Sequence, residues 1–177
     1  NGITLHSSLI GFGSTFLVFS DYMRPSIRLA ALMELDSVFI FTHDSIYLGE
    51  DGPTHQPIEH LMSLRLIPGL DVVRPSNSEE IIHSYDYIFS NTNNPKALIL
   101  TRQNLDFIDT RVRFSDFEKG YYELAPGTDA TIFASGSEVN LAMEVSKLLK
   151  GKSIQIISTP ILNKLKPELI ASLGINN

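Results

Sequence analysis

Short apolar runs alternate along the chain with longer segments whose apolar residues recur at helical spacing, the pattern of a parallel sheet joined by crossover helices. Thr15 to Phe19 reads as a first strand, and a helix follows from about Ser20 to Leu35 with Ile27, Ala30 or Ala31, and Leu32 or Met33 on one face. Pro25 lies inside that segment and weakens its first turns. Val38 to Phe41 is a continuously apolar strand, Ile58 to Leu66 a helix with Leu61, Leu64 and Arg65, and Asp71 to Arg74 a short strand ended by Pro75. Ser78 and Glu80, ahead of the spacing Ile81, Ile82, Tyr85, Ile88 and Phe89, predict a capped amphipathic helix, and Ala97 to Thr101 is the next strand.

From Asp106 to Glu118 the chain is charged and without period, which predicts a linker. Beyond it Ala130 to Ala134 reads as a strand, Glu138 to Lys150 as a helix presenting Leu141, Met143, Val145, Leu148 and Leu149, and Ser153 to Ser158 as another strand. This is a second βαβ unit, incomplete as it stands. The chain opens on Asn1 without a methionine and stops within the helix-like spacing Leu165, Leu169, Ile170, Leu173, as a segment cut from a longer protein would. No repeat of 20 to 50 residues is visible, so a solenoid has no support.

Composition narrows the function classes. At 43% apolar residues the 177-residue chain can bury a core, yet its longest apolar runs, near Phe16 to Phe19, Val38 to Phe41 and Ala97 to Leu100, are far too short to span a bilayer. Fourteen basic against twenty acidic residues give a net charge of -6, with no Lys/Arg cluster to neutralise nucleic-acid phosphates. Membrane insertion and nucleic-acid binding are therefore not expected. The absence of cysteine removes disulfides, thiolate metal sites and thiol nucleophiles, and fits a cytoplasmic protein.

The richest chemistry lies between His43 and Pro57, where two imidazoles (His43, His55) and three carboxylates (Asp44, Glu50, Asp51) share a segment without hydrophobic period. It follows a strand, and ligands of open α/β sheets bind beyond the strands' carboxyl ends. Imidazole and carboxylate could ligate a divalent metal, but no helical His pair is present and Gly49, Gly52 and Pro53 break the segment into turns. Neutral imidazole donates and accepts while carboxylates accept from hydroxyls, which suits a polyhydroxylated ligand; a plain polar surface loop is the alternative. Arg102, after the strand ending at Thr101, could hold a phosphate or carboxylate in bidentate fashion or serve as a surface ion-pair partner. Phe16, Phe19 and Tyr22 read as core aromatics. Phe16 and Phe19 face opposite sides of a regular strand, so only a departure from extended geometry near Phe19 would let the three rings wall a flat heteroaromatic ligand. Ser135 and Glu138 fit a capping box at a strand-to-helix junction. Gly11-Phe12-Gly13 precedes a strand and lacks a third glycine, so it is no dinucleotide fingerprint.

Taken together, these residues resemble transketolase, a thiamine diphosphate enzyme family. The resemblance runs through Asn1-Gly2-Ile3-x-Leu5-His6, Thr15-Phe16-Leu17-x-Phe19-Ser20-Asp21-Tyr22, Thr42-His43-Asp44-Ser45-Ile46, Gly49 to Pro57, Leu64-Arg65-x-Ile67-Pro68, Arg102-Gln103-Asn104 and Gly136-Ser137-Glu138-Val139. A related synthase of deoxyxylulose phosphate shares the Gly-Glu-Asp-Gly-Pro-Thr-His-Gln core, whereas Thr-His-Asp-Ser-Ile before it looks like transketolase. The resemblance implies an α/β fold: a parallel-sheet, pyrimidine-binding domain over residues 1–105, the linker at 106–118, and part of a second α/β domain, the family's C-terminal domain, over 119–177. It implies that Phe16, Phe19 and Tyr22 surround the cofactor's aminopyrimidine, that His43 and Arg102 hold a sugar phosphate, that Asp51 reads a substrate hydroxyl, and that His55 sits beside the reacting carbons as a proton donor or acceptor. The implied reaction moves a two-carbon ketol unit from a ketose phosphate to an aldose phosphate, as in the pentose phosphate pathway, in a cytoplasmic homodimer whose active site lies at the interface. The family's activating glutamate, in a Gly-x-Arg-Glu segment, would precede Asn1. The diphosphate and its divalent metal, Mg or Ca, would be held by an N-terminal domain, so no metal ligand is expected here and the fragment alone would be inactive. Ser7, Ser8 and Tyr47 stand where the family has glycines, and Tyr47 would narrow the substrate channel or need a different turn. A noncatalytic transketolase-like module, or one subunit of a split enzyme, is the other reading.

Overall fold

The computed structural model describes residues 1–6, 9–109 and 111–172, which fall into two compact units: 1–73 with 84–104, and 74–83 with 105–172. Ser7, Ser8 and Leu173, singled out from the sequence, lie outside the described residues.

The first unit begins with a short helix, α1 (Gly2–Leu5), and is built on strands β1 (Phe12–Phe16), β2 (Val38–Thr42), β3 (Asp71–Val73) and β4 (Lys96–Ile99). All pair in parallel, in the order β1-β2-β4-β3. The inner strand β4 is wholly buried, and in β2 Val38, Phe39 and Phe41 are buried while Ile40 and Thr42 are half-buried. Their connections include α2 (Ser20–Leu32), α3 (His60–Arg65) and α4 (Ser78–Ser90).

Two expectations shift here. The first strand ends at Phe16, opposite the end of β2 at Thr42, and Leu17–Phe19 is already a 3-10 turn. The apolar run Phe16 to Phe19 marks the turn, and the strand itself is the plainer Phe12-Gly13-Ser14-Thr15 at the edge of the described sheet. In α2 the buried face is Ser20, Ile27, Ala30 and Ala31, while Leu32 and Met33 are exposed.

The second unit has strands β5 (Tyr122–Ala125), β6 (Ala130–Ala134) and β7 (Ile154–Ser158) in the order β5-β7-β6. Helix α6 (Glu138–Leu148) joins the parallel pair β6 and β7, the βαβ unit read from the sequence. β5 pairs antiparallel to β7 with a bulge between Glu123 and Ala125 and had no clear pattern to announce it. The stretch expected as an irregular linker contains α5 (Phe114–Glu118), organised by the fully buried Phe117. A further helix, α7 (Pro167–Ser172), follows a 3-10 turn at Leu162–Lys164. The core gathers Ala134, Val139, Ala142, Ile154 and Ile156. Of the apolar residues read on this helix, Leu141 and Leu148 are exposed, as is Leu149 just beyond its end.

The expected capping box at Ser135 and Glu138 does not form. The helix starts one residue after Ser137, so Glu138 is its first residue rather than the third after a Ser135 cap; the Ser137 side chain makes no cap bond, and the buried Arg74 guanidinium takes the Ser135 carbonyl oxygen (2.9 Å), the Ser135 hydroxyl (3.3 Å) and the Glu138 carboxylate. At the start of α4 the capping residue is Asn77, whose Oδ1 accepts from the Glu80 amide at 3.0 Å, while Glu80 Oε2 reaches back to the Ser76 amide at 2.6 Å.

Candidate active site

Phe16 is the last residue of β1 and is still extended; the 3-10 turn that follows swings Phe19 back beside it. The two rings stack at 6.1 Å with 16° between their planes, and Tyr22, in the first turn of α2, lies 6.1 Å beyond Phe19 at 38°. Phe16 and Phe19 are half-buried, but Tyr22 is 84% exposed, which is open for a ring of this size unless something packs on it.

The loop after β2 brings both imidazoles to this group. His43 stacks on Phe16 at 3.7 Å and 22°, with Nδ1 2.9 Å from the Thr42 hydroxyl. Its φ of +58° is a left-handed conformation that side chains with a β-carbon rarely adopt, one shared by Glu34, Asn93 and Arg111 away from this cluster. His55 stands edge-on to Phe19 at 5.3 Å and to Phe16 at 6.4 Å, with Nδ1 2.8 Å from the Thr54 hydroxyl. In each histidine Nδ1 is thereby engaged, and Nε2 has no hydrogen-bond partner among the described residues.

Between them the loop forms two 3-10 turns, Ile46–Leu48 and Gly52–Thr54, linked through Gly49 (φ +94°) and Gly52 (φ +72°). Leu48 anchors the first turn in the core, and Ser45 accepts from the Tyr47 amide at its start. Tyr47 keeps an ordinary negative φ within that turn, with its ring exposed, so the backbone does not need glycine there. Asp51 is the exposed N-cap of the second turn and its side chain caps nothing. Arg102 is exposed, without a hydrogen bond or ion pair among the described residues, three residues beyond Ile99. Ile99 pairs with Phe41, two residues before His43, so Arg102 and His43 follow neighbouring strand ends.

Thus Phe16, Phe19, Tyr22, His43 and His55 come together. Asp51 and Arg102 occupy exposed loop positions and make no hydrogen bond to that cluster.

The loop's ionisable groups do not form a set at metal-ligand spacing among the described residues. The set that does is Asp21, Glu59 and His60, with ligand atoms within 4.8 Å of one another. His60 is buried, with Nε2 3.2 Å from Asp21 Oδ2 and Nδ1 3.9 Å from Glu59 Oε2. Only the Asp21 contact is within hydrogen-bond distance; Nδ1 has no hydrogen-bond partner among the described residues, and the two carboxylates address opposite nitrogens of one imidazole rather than one shared point. This contact was not singled out from the sequence, where the only signal is the matching i, i+3 spacing of Asp21 and Arg24 on one helix and His60 and Ser63 on another.

Comparison with known proteins adds an independent finding. Residues 1–107 match the family described as transketolase, pyrimidine binding domain. The transketolase of Halalkalibacterium halodurans is 45% identical over 175 residues, covering 95% of this chain and 26% of that protein. Transketolase from Leishmania mexicana superposes with a TM-score of 0.90 at 36% identity, over 98% of this chain and 26% of that one. The Pichia stipitis transketolase complex with sedoheptulose-7-phosphate gives a TM-score of 0.84 at 39% identity, over 91% and 25%. The chain spans about a quarter of the length of these relatives.

Proposed function

Because the chain belongs to the transketolase family, matched over its pyrimidine-binding domain, we propose that it supplies the pyrimidine side of an active site that moves a two-carbon ketol unit from a ketose phosphate to an aldose phosphate. The observation that carries this reading is the convergence of three aromatic rings and two imidazoles at adjoining strand ends. Thiamine diphosphate, when bound, supplies the electron sink that such a transfer needs. Its aminopyrimidine fits the donor set here, a flat heteroaromatic ring against Phe16, Phe19 and the open face of Tyr22.

The remaining roles fall to side chains with free polar atoms. Nε2 of His43 binds a substrate oxygen, and Arg102 pairs with the sugar's phosphate. Asp51 accepts from a substrate hydroxyl and so reads its configuration. His55, held through Nδ1 by Thr54, exchanges a proton with the reacting sugar at Nε2. The diphosphate and a divalent cation are held, on this reading, by residues outside this chain, in a cytoplasmic homodimer. The chain is read as pyrimidine domain to about residue 105 and as part of the C-terminal domain from about 119. The Pichia stipitis complex with a sugar phosphate supports that substrate class.

The test uses the intact parent enzyme with thiamine diphosphate and a divalent cation. Phe19→Ala weakens cofactor binding by about 1 kcal/mol, the worth of an aromatic contact beyond its area. Arg102→Ala costs about 1.5 to 3 kcal/mol for phosphorylated sugars, the value of a charge-assisted hydrogen bond, and little for unphosphorylated ones. Unchanged cofactor affinity in the first variant, or equal losses for both kinds of sugar in the second, would overturn the corresponding assignment.

A further inference from the structure

Asp21 lies between Phe19 and Tyr22 in sequence, and α3 begins five residues after His55. Two side-chain links join these segments. His60 Nε2 meets Asp21 Oδ2 at 3.2 Å, and Arg24 donates from Nη1 to the Ser63 hydroxyl (2.8 Å) and from Nη2 to the Ser63 carbonyl oxygen (2.9 Å). Ser63 in turn donates to the His60 carbonyl oxygen at 2.9 Å, so the links are joined on the α3 side. Asp21 and Arg24 are three residues apart on one helix, as are His60 and Ser63 on the other, and residues at that spacing share a helix face. They therefore form two rungs of one ladder.

We infer that this ladder is a positioning device, with His60 and Arg24 setting the distance between the aromatic wall and His55. The inference rests on the function proposed above for those residues. The loop from Gly49 to Pro57 carries two glycines at positive φ and mostly exposed side chains, so its own packing constrains His55 weakly. α3 is the rigid element that follows it. Leu64, with the half-buried Leu61, holds α3 against the core, but the hydrophobic effect is non-directional and does not by itself fix rotation. Hydrogen bonds fix both distance and rotation. The donor from His60 Nε2 to a carboxylate also explains why an imidazole 5% exposed occupies a helix face where leucine would pack more simply. The tie sits at the turn that presents Phe19 and Tyr22, so a change of rung length moves these rings relative to His55, now 5.3 Å from Phe19.

The test uses the full-length parent enzyme saturated with thiamine diphosphate and carrying a single 4-fluorophenylalanine at position 19. His60→Leu keeps the bulk and removes the donor; His60→Gln restores an N–H that can reach Asp21; Arg24→Met cuts the other rung without touching the buried histidine. Expected for His60→Leu and Arg24→Met are a tenfold or greater fall in kcat with KM for the ketose phosphate within threefold, and a displaced 19F resonance. His60→Gln should return kcat to within threefold of wild type and move the resonance back. Wild-type kcat in both His60→Leu and Arg24→Met overturns the positioning role, as does a fluorine signal that ignores all three substitutions. A fall in kcat that His60→Gln does not relieve overturns it as well. If the wild-type parent transfers no ketol unit while the resonance still follows the rungs, the functional reading fails and the geometric tie stands.

Discussion

Glu80 has no exposed surface, yet it is a carboxylate, and burial of such a group is tolerated only where donors replace water. It has three that the structure measures: the Ser76 amide on Oε2, and the Tyr122 and Ser158 hydroxyls on Oε1, each at 2.6 Å. Tyr122 and Ser158 are register partners of β5 and β7, so one carboxylate ties the antiparallel edge of the second unit's sheet to the start of α4. Glu80→Ala strands three buried donors. At about 1 to 3 kcal/mol for each unsatisfied group the loss would be roughly 3 to 9 kcal/mol, and hydroxyl rotation with water entry brings it toward about 3 to 5. Glu80→Gln keeps an oxygen for both hydroxyls but turns an amide N–H toward the Ser76 N–H, so it costs about 1 to 3 kcal/mol.

Urea unfolding of the chain, followed by far-UV circular dichroism and by tyrosine emission, which no tryptophan obscures, measures both variants. The expected order of stability is wild type, Glu80→Gln, Glu80→Ala. A cycle with Tyr122→Phe should return a coupling of about 1 kcal/mol or more, because the two side chains share a bond. A Glu80→Ala variant within about 1 kcal/mol of wild type, or a glutamine as costly as the alanine, would refute the account of Glu80 as a satisfied buried acceptor.

Two further outcomes follow from the same kind of geometry. Lys96 is 1% exposed and donates to the carbonyl oxygens of Asn91 and Asn94 and to Asn94 Oδ1; burial lowers its pKa below the ordinary lysine value, opposed by the Asp71 and Asp36 carboxylates. Between the lowered folded value and the ordinary one, the unfolded chain binds more protons, so wild-type stability rises with pH through that window. The stability of wild type relative to Lys96→Met, from urea midpoints at successive alkaline pH values, should therefore grow, and a shrinking difference would contradict the sign. Gly136 has φ +57°, and a β-carbon there would fall 2.7 Å from Arg74 Cζ and Nε. Arg74 is held by Ser135 and Glu138, so Gly136→Ala should cost about 2 to 4 kcal/mol and lower the melting temperature by roughly 5 °C or more; a loss under about 2 °C would mean the guanidinium yields easily.

The legible parts of the fold are those where apolar pattern and burial agree. β6 falls at Ala130–Ala134 as its run of β-formers predicts, and the βαβ unit around α6 follows from periodicity. The reading fails where polar groups occupy the interior. On α4 the apolar face of Ile82, Tyr85 and Phe89 is exposed, while Glu80, Ser84, Tyr87 and Ile88, also at helical spacing, are buried. Nothing local distinguishes the two faces, because the partners that make Glu80 tolerable lie 42 and 78 residues away. Arg74 is the same case, its acceptors 61 and 64 residues distant and mistaken for a local cap.

The site follows the opposite rule. Its residues stand out in the sequence because the loop after β2 is dense in ionisable groups and has no hydrophobic period, and the structure adds two features costly for the fold, rings on a turn and a histidine at positive φ. What pattern could not give is how these costs are offset. The His43 backbone, strained by order of 1 to 3 kcal/mol, is held with its ring on Phe16 at 3.7 Å and its Nδ1 on Thr42. The same stacking covers one face of Phe16, which leaves Phe19 and the exposed Tyr22 as the rings most open to a flat ligand. The imidazole predicted as a substrate contact is therefore also part of the aromatic wall. A substitution at His43 should disturb cofactor and sugar together, whereas Arg102, which makes no hydrogen bond or ion pair among the described residues, should disturb the sugar alone.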